Sequence, residues 1–379
     1  MSEFDIALIA FGIVMLLIFL RVPVAIAMGL VGVLGYAIVT SWTGSTSLFV
    51  ISTFTHSSSY ALTVIPLFMI MGSFAQYGGL SAALYNAAYK WMGRLPGGLA
   101  MATVAACGAF AAMCGSSLAT AVTIGRQAIP EMLKYNYDEK LATGCIASAG
   151  TLGILIPPSA AFVILGYITE QSIGKLLIAG ILPGVLTIIV DMVGIYILVK
   201  LRPKLAPTPP LRFTNREKFG ALKSAWGLPV AMVVVMGGIY TGVMTPTEAG
   251  AVAAFVTFVM FLTSPGRSLK NFSNSLLETG KTTSMLMLII LAAYLLGALL
   301  AYGNVPTVTA EYITGLTLPP HVVMILILLL FIVMGCFLDG LAIIVITIPI
   351  IFPAVITMGF NPIWFSVLVV KLIEIGQIT

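Results

Sequence analysis

Charge is what this chain has least of. Asp, Glu, Lys and Arg make up 8% of its 379 residues, against 60% hydrophobic ones, and the mean hydropathy is +1.11. A soluble domain carries about 25% charged residues. A chain with so few cannot clothe its surface against water, so lipid is the solvent it is built for. Histidine is scarcer still: His56 and His321 are the two present, which excludes a His-rich zinc site. The four cysteines, at 107, 114, 145 and 336, form no CxxC pair and lie in apolar segments. They read as small buried side chains rather than disulfide partners or metal ligands. A GxSxG elbow, a His/Glu metal cluster and paired catalytic carboxylates are all missing, so no enzyme is expected. The net charge of +5 comes without a basic stripe interleaved with aromatics, which excludes nucleic acid as a partner. The N-terminus, MSEFD, is acidic and has no small-residue cleavage site. The apolar run after it is therefore read as a retained first span rather than a signal peptide.

What the chain has in abundance is apolar runs. Those long enough to cross a hydrocarbon core of roughly 30 Å fall at about 5–20, 23–40, 58–76, 140–169, 177–200, 228–243, 246–263 and 283–303. Segments 98–130 and 321–357 are apolar too, but small and polar residues interrupt each near its middle. Their arms, at about 13–17 residues, are short for spans, so both are read as re-entrant hairpins. The long hydrophilic loop, 201–227, is Pro-rich at 203, 207, 209 and 210 and then basic through REKFGALK. It reads as a linker followed by a surface helix. With both hairpins re-entrant, 16 of the 18 Lys and Arg, from Arg21 through Arg212 to Lys281, face one compartment. Lys175 falls opposite and Lys371 lies inside a later helix. The positive-inside rule makes the crowded side cytoplasmic and places the N-terminus outside.

The chain also repeats itself at an offset of 223 residues. Pro23 lands on Pro246, Pro96 on Pro319, Pro130 on Pro353 and Gly153 on Gly376, while SSLATAVTIGRQAIP lands on DGLAIIVITIPIIFP. Four crossings in the first copy plus the extra span 177–200 make five. An odd number turns the second copy upside down, giving the inverted pair common in secondary transporters.

Within this frame the stretch GTLGILIPPSAAF, 150–162, reads as a broken helix. Glycine permits unusual backbone angles, proline removes a donor and frees a carbonyl, and unwound backbone inside a bilayer is tolerated where it lines a cavity. Freed carbonyls at a half-helix C-terminus suit a dehydrated Na+, and the N–H groups of the next half-helix suit an anion. The apposed hairpin tip, CGSSLATAV, offers the hydroxyls of Ser116, Ser117 and Thr120. In the second copy the counterparts are GCFLDGLAI and EIGQIT. There Asp339 is either an ion-site carboxylate or the cap of the hairpin's second helix. Asp191, in mid-span, reads as a structural hydrogen bond or a subunit contact ahead of a proton or ion residue. Thr245 to Glu248, TPTE, is a capping box at a helix start.

Taken together, GSSLATAVTIG, GTLGILIPPS, TPTEAGA, FLDGLA and GQIT resemble the large membrane subunit of tripartite ATP-independent periplasmic (TRAP) transporters, over essentially the whole chain. The resemblance implies an all-α integral membrane protein with two inverted repeats, re-entrant hairpins and broken helices, working as an elevator. It implies Na+-coupled uptake of an organic acid such as a C4-dicarboxylate or sialic acid across the bacterial inner membrane. Na+ is the coupling ion and no other cofactor is implied. The partners would be a small four-helix membrane subunit and a periplasmic substrate-binding protein. One Na+ site would use Ser116, Ser117 and Thr120 with Gly153, Ile156 and Pro158. The other would use Gly335, Asp339 and Gly340 with Gly376 and Thr379. Substrate would lie between the hairpin tips, at Gly115, Ser116, Pro157, Ser159 and Asp339. Residues 96–171 and 317–379 would form the moving part. Scaffold helices at 1–95 and 228–316 would surround it, joined by the linking span and linker 172–227. Family members continue past GQIT with a Pro-Pro turn and a further helix, so the second site is expected to be incomplete here. The rival reading is a stand-alone Na+/carboxylate symporter or Na+/H+ antiporter of the same architecture.

Overall fold

In hydrocarbon a backbone must satisfy its own hydrogen bonds, and an apolar chain does so most simply by coiling into helices. The computed structural model describes residues 2–208 and 213–379, apart from the side chain of Leu228, and holds helices and no strands among them. Pro209, Pro210 and Arg212, assigned above to the linker and the cytoplasmic face, lie outside the described residues.

The first copy contains α1 (Glu3–Phe19), α2 (Val24–Val39), α3 (Trp42–Ser57) and α4 (Val64–Tyr77), the last entered through a 3-10 turn at Tyr60–Thr63. It continues with α5 (Leu80–Met92), the hairpin α6 (Gly98–Cys114) and α7 (Ser117–Lys134), and the interrupted α8 (Glu139–Gly150), α9 (Leu152–Leu155) and α10 (Ala160–Ile168). The linking span is α11 (Ile173–Leu201), and α12 (Asn215–Ser224) is the surface helix of the linker. The second copy opens with α13 (Gly227–Met232), which runs through a π turn at Val233–Gly237 into α14 (Gly238–Tyr240). It continues with α15 (Pro246–Thr263), α16 (Leu269–Tyr302), α17 (Val305–Thr314), the hairpin α18 (Pro320–Gly335) and α19 (Gly340–Thr357), and α20 (Pro362–Ile378).

The 223-residue offset survives in three dimensions. α7 and α19 correspond at both ends, and α8 and α20 start in register. The packing is exchanged between copies as well: α2 lies on α16, and its mate α15 lies on α4. The contact is close, since a Cβ on Gly32 of α2 would stand 2.7 Å from the Leu296 amide of α16. The molecule is thus an all-α membrane protein of two inverted repeats.

α3, α5, α17 and the N-terminal half of α16 had no counterpart among the expected spans. α3, α5 and the N-terminal half of α16 carry Ser, Thr, Asn and Lys among their apolar residues, which drops them below a hydropathy threshold although they coil. α16 accordingly runs 34 residues rather than starting at 283. Among the described residues, five spans are long and apolar enough to cross a membrane alone: Tyr60–Tyr77, α11, α15, α16 and α19. Two bent pairs raise this to seven, α8–α9 with α10 at 43° and α12 with 229–240 at 49°. α1 and α2, at 17 and 16 residues, reach about 24–26 Å, short of a full core.

Two end faces organise the bundle. One gathers Tyr60, Gln171, Lys175 and Thr245 around a shared cavity. The other gathers Gly78, Ser224, Trp226 and Ser264. On that second face, α12 packs on α5, with Trp91 Nε1 donating to the Lys218 carbonyl at 3.2 Å. The TPTE capping box forms: Thr245 N donates to Glu248 Oε2 at 2.8 Å and Glu248 N to Thr245 Oγ1 at 3.3 Å.

Candidate functional site

The hairpin tips fix the depth of the site. Gly153, 14 residues into the crossing that begins at Glu139, is about 21 Å along its axis. A Cβ there would stand 2.6 Å from the Ser117 amide and collide with the Ser116 carbonyl. Gly115, in the left-handed region at φ +64°, would meet the Pro158 carbonyl at 2.7 Å. The tip of α6–α7 therefore ends against the middle of a crossing, which makes the hairpin re-entrant. Its arms, of 17 and 18 residues, are longer than the 13–17 expected. Depth of the tip rather than arm length is what stops it short. The second hairpin repeats the arrangement. A Cβ on Gly376, 14 residues into α20, would stand 2.7 Å from Gly335 Cα and collide with the Ile332 carbonyl.

The break itself spans Ile156 to Ser159, with a cis Pro157–Pro158 bond. Four helix ends meet there: the C-termini of α6 and α9 and the N-termini of α7 and α10. Each C-terminus leaves carbonyls without helical partners, and each N-terminus leaves N–H groups. The first pair suits a cation and the second an anion. α19 brings a further N-terminus, since a Cβ on Gly340 would lie 3.6 Å from Ile154 Cδ1. Both hairpins thus converge on the break of the first copy.

The individual groups divide into committed and free ones. Ser117 Oγ donates to the Thr151 carbonyl at 3.3 Å, and Ser116 Oγ caps α7 by accepting from Ala119 N at 3.4 Å. Ser159 is fully buried; its hydroxyl donates to the Ile154 carbonyl and accepts from Phe162 N. Thr120 is also fully buried, but its Oγ1 has no hydrogen-bond partner, with the weakly accepting Cys114 sulfur nearby. A buried hydroxyl without a partner, close to carbonyls at helix ends, is a group of oxygens suited to a cation. The side chain of Ile156 turns away to α11, where a Cβ on Gly184 would meet its Cγ1 at 2.7 Å. Its backbone is what remains at the break.

The second copy is assembled differently. Asp339 caps α19, accepting from Leu341 N at 3.1 Å, and its side chain is exposed. Gly335 and Gly376 are in contact, and Gly340 lies beside Gln377, 3.1 Å from its Nε2 to a built Cβ. Thr379 Oγ1 donates to the Ile375 carbonyl at 2.6 Å. Thr379 is the positional equivalent of Ile156, where the first copy unwinds, so α20 is helical up to that point. Asp191 accepts from Ser148 Oγ at 3.1 Å. Of the cysteines, 107, 114 and 145 are buried as expected, whereas Cys336 is exposed at the second tip: it sits on the outer side of the turn.

One feature had no sequence signal. A cavity of about 700 Å3 opens at the C-terminal end of α10, lined by His56, Tyr167, Gln171, Tyr294 and Pro349 among others. His56 Nδ1 and the Tyr167 hydroxyl share a hydrogen bond of 2.6 Å, and the His56 ring lies edge-on to Tyr294 at 4.5 Å. His56 Nε2 is buried without a partner. Tyr167 is 111 residues from His56, a separation no motif bridges.

Comparison with known proteins agrees with this architecture. The profile of the family described as "Tripartite ATP-independent periplasmic transporter, DctM component" matches residues 11–379. The chain is 41% identical over 331 residues to the C4-dicarboxylate TRAP transporter large permease protein DctM of Pseudomonas aeruginosa, covering 87% of this chain and 77% of that one. It is 35% identical to the isethionate TRAP transporter permease protein DctMQ of Oleidesulfovibrio alaskensis, covering 98% of this chain and 58% of that one. It is 31% identical to the sialic acid TRAP transporter large permease protein SiaM of Vibrio cholerae, covering 85% and 75%. Among solved structures, the YdaH transporter of Alcanivorax borkumensis superposes with a TM-score of 0.58 at 15% identity, over 89% of this chain and 77% of that one. That likeness is one of fold.

Proposed function

Because the chain belongs to the DctM family of TRAP transporter large permeases, we propose that it carries out Na+-coupled uptake of an organic acid anion across the bacterial inner membrane. The substrate class is a small carboxylate or sulfonate, since relatives are named for C4-dicarboxylate, isethionate and sialic acid. The partners are a small membrane subunit and a periplasmic binding protein that delivers the substrate. The N-terminus is periplasmic, on the side opposite the basic loops.

The observation that carries this reading is the meeting of four helix ends at the Gly115–Pro158 contact. Na+ would take carbonyls of the tip and the break together with the free Thr120 hydroxyl; Ser117 stays committed to Thr151. Bound there, the cation would tie hairpin to break and hold the N-termini of α7 and α10 in place for the anion. The second ion would lie near Gly335 and Gly376, largely on backbone carbonyls, with Asp339 holding the start of α19. Substrate would sit between the tips, near Gly115, Ser116, Pro157 and Asp339. Ser159, its hydroxyl already used twice, shapes the turn instead of touching the anion. The cation offsets the substrate's charge while 96–171 and 317–379 move as one body against the scaffold, which avoids carrying an uncompensated charge through lipid.

The test is uptake of radiolabelled C4-dicarboxylate into liposomes holding the chain and its small subunit. We expect transport to need both an inward Na+ gradient and the cognate binding protein outside. Equal uptake on K+ would overturn the coupling. Uptake without any binding protein would favour the stand-alone carrier.

A further inference from the structure

α12 carries two apolar faces, and the protein covers one of them. Ala221 and, at the cap, Ala225 are buried, and the helix packs on α5. Roughly a third of a turn away, Phe219 and Leu222 are 62% and 49% exposed. Trp226, just past the helix end, and Trp91, in the last turn of α5, are exposed as well. The Trp91 ring lies edge-on to Phe219 at 5.6 Å, so α5 extends the uncovered strip of α12. Charges follow the same strip. Arg216 and Lys223, both exposed, lie on one flank of it. Lys218 lies on the other, its Nζ 5.8 Å from the centre of the Trp91 ring. The acid of this helix, Glu217, turns back to the capping residue, accepting from Thr214 N at 2.7 Å. No ion pair within 4.0 Å joins any of the three cations to a carboxylate among the described residues.

α12 meets the crossing 229–240 at 49°, so it lies beside the mouth of that crossing instead of prolonging it. An apolar strip flanked by Lys and Arg is the pattern of a helix lying in the plane of a membrane interface, and tryptophan rings favour headgroup depth. Water would leave the strip uncovered, and hydrocarbon would strand the three cations. The headgroup layer suits both, because long basic side chains reach from an apolar strip to the phosphates. We propose that α12 and the Trp91 end of α5 form a binding surface for anionic phospholipid. Its phosphate would sit on Arg216, Lys218 and Lys223, and its acyl chains against Phe219 and Leu222. Charge complementarity selects the lipid: three cations with no carboxylate paired to them favour a headgroup of net negative charge over a zwitterionic one. α5 packs in turn on both arms of the first hairpin, so lipid held there would fasten the linker between the two copies beside that hairpin. The inference goes beyond the proposed transport cycle and needs neither its ion nor its substrate.

The test is photo-crosslinking of the full chain with its small subunit, in nanodiscs holding equal amounts of phosphatidylglycerol and phosphatidylcholine. p-Benzoylphenylalanine in place of Phe219 keeps an aromatic ring there and captures whatever touches the strip. Mass spectrometry should find phosphatidylglycerol adducts in at least about fivefold excess. Arg216→Gln, Lys218→Gln and Lys223→Gln together should bring the ratio to about one, each charge contributing up to about fivefold. The Lys218 carbonyl, not its side chain, accepts from Trp91 Nε1, so that contact between α12 and α5 survives the substitution. Should the triple variant fail to fold, Arg216→Gln with Lys223→Gln removes two exposed cations and should still lower the ratio. A starting ratio near one, or a ratio that the substitutions leave unchanged, would overturn the proposal. So would adducts to the small subunit in place of lipid, which would make the strip a protein interface, or no adduct at all, which would put it in water. A preference abolished by inorganic phosphate at constant ionic strength would make the site one for a free anion and overturn it too. No transport enters the readout, so a failed uptake experiment and a failed lipid surface are separate results.

Discussion

Thr120 is the side chain on which the ion-site reading is most exposed to refutation. A buried donor without a partner costs about 1–3 kcal/mol, and the Thr120 hydroxyl is in that state. If it waits for Na+, removing it should leave the ion-free fold no worse. Thr120→Val keeps the shape and deletes the oxygen. We expect its melting temperature in Na+-free buffer to stay level or rise. The Na+ concentration for half-maximal uptake should increase about tenfold, equivalent to ~1.4 kcal/mol. A variant that melts early without Na+ and keeps wild-type Na+ dependence would show that the hydroxyl is structural. Ser117 and Ser159 are poorer probes, because their hydroxyls already hold the Thr151 and Ile154 carbonyls.

Hairpin and broken helix are held together by the absence of side chains where they touch. At Gly153 an added methyl meets backbone, which cannot swing aside. At Gly144, on the exposed side of the same crossing, nothing lies within 4 Å. Overpacking of this kind costs about 1–3 kcal/mol, whereas Ala for Gly in an open helix gains up to about 1 kcal/mol. We therefore expect Gly153→Ala to lower the melting temperature and weaken Na+-dependent uptake, and Gly144→Ala to raise the melting temperature or leave it unchanged. Equal melting for both would mean that tip and break are not in contact. The place of this contact was legible in the sequence, because GSS and GILIPP break the apolar pattern with residues that lipid-facing helices avoid. The roles within it were less so. That Ser159 would be used up as a cap, and that Thr120 would be left free, depends on side-chain directions set by the tertiary fold. The polar helices α3 and α5 were missed for a related reason: hydropathy reports contact with lipid, and these helices owe their form to capping and packing instead. α3 starts on Ser41 Oγ, which accepts from Gly44 N at 3.0 Å, and α5 is sandwiched between α6 and α12.

At the scale of the whole molecule the inversion of the second copy is the claim with the widest consequences. It follows from an odd number of crossings before residue 228 and is supported by the two end faces. Lys175 shares a cavity with Tyr60 and Thr245, while Gly78, Ser224 and Ser264 meet at the far end, where Lys218 lies over the Trp91 ring at 5.8 Å. Each residue is thereby assigned a compartment that labelling can read. In a background without the four native cysteines, single cysteines would replace Lys134 at the base of the first hairpin, His321 at the base of the second, Lys175, and Lys218. Positions 134, 175 and 321 are exposed and 218 is half-buried. A membrane-impermeant maleimide should reach 175 and 321 in cells with a permeabilised outer membrane and an intact inner one, and 134 and 218 only once the inner membrane is opened. If all four swap, the molecule is inverted in the membrane but its symmetry stands, because the charge rule sets orientation separately from the repeat. If 134 and 321 label from the same side, the two hairpins open together. Alternating access by opposed hairpins is then ruled out, because both tips would face one compartment and the central site would have no second way out.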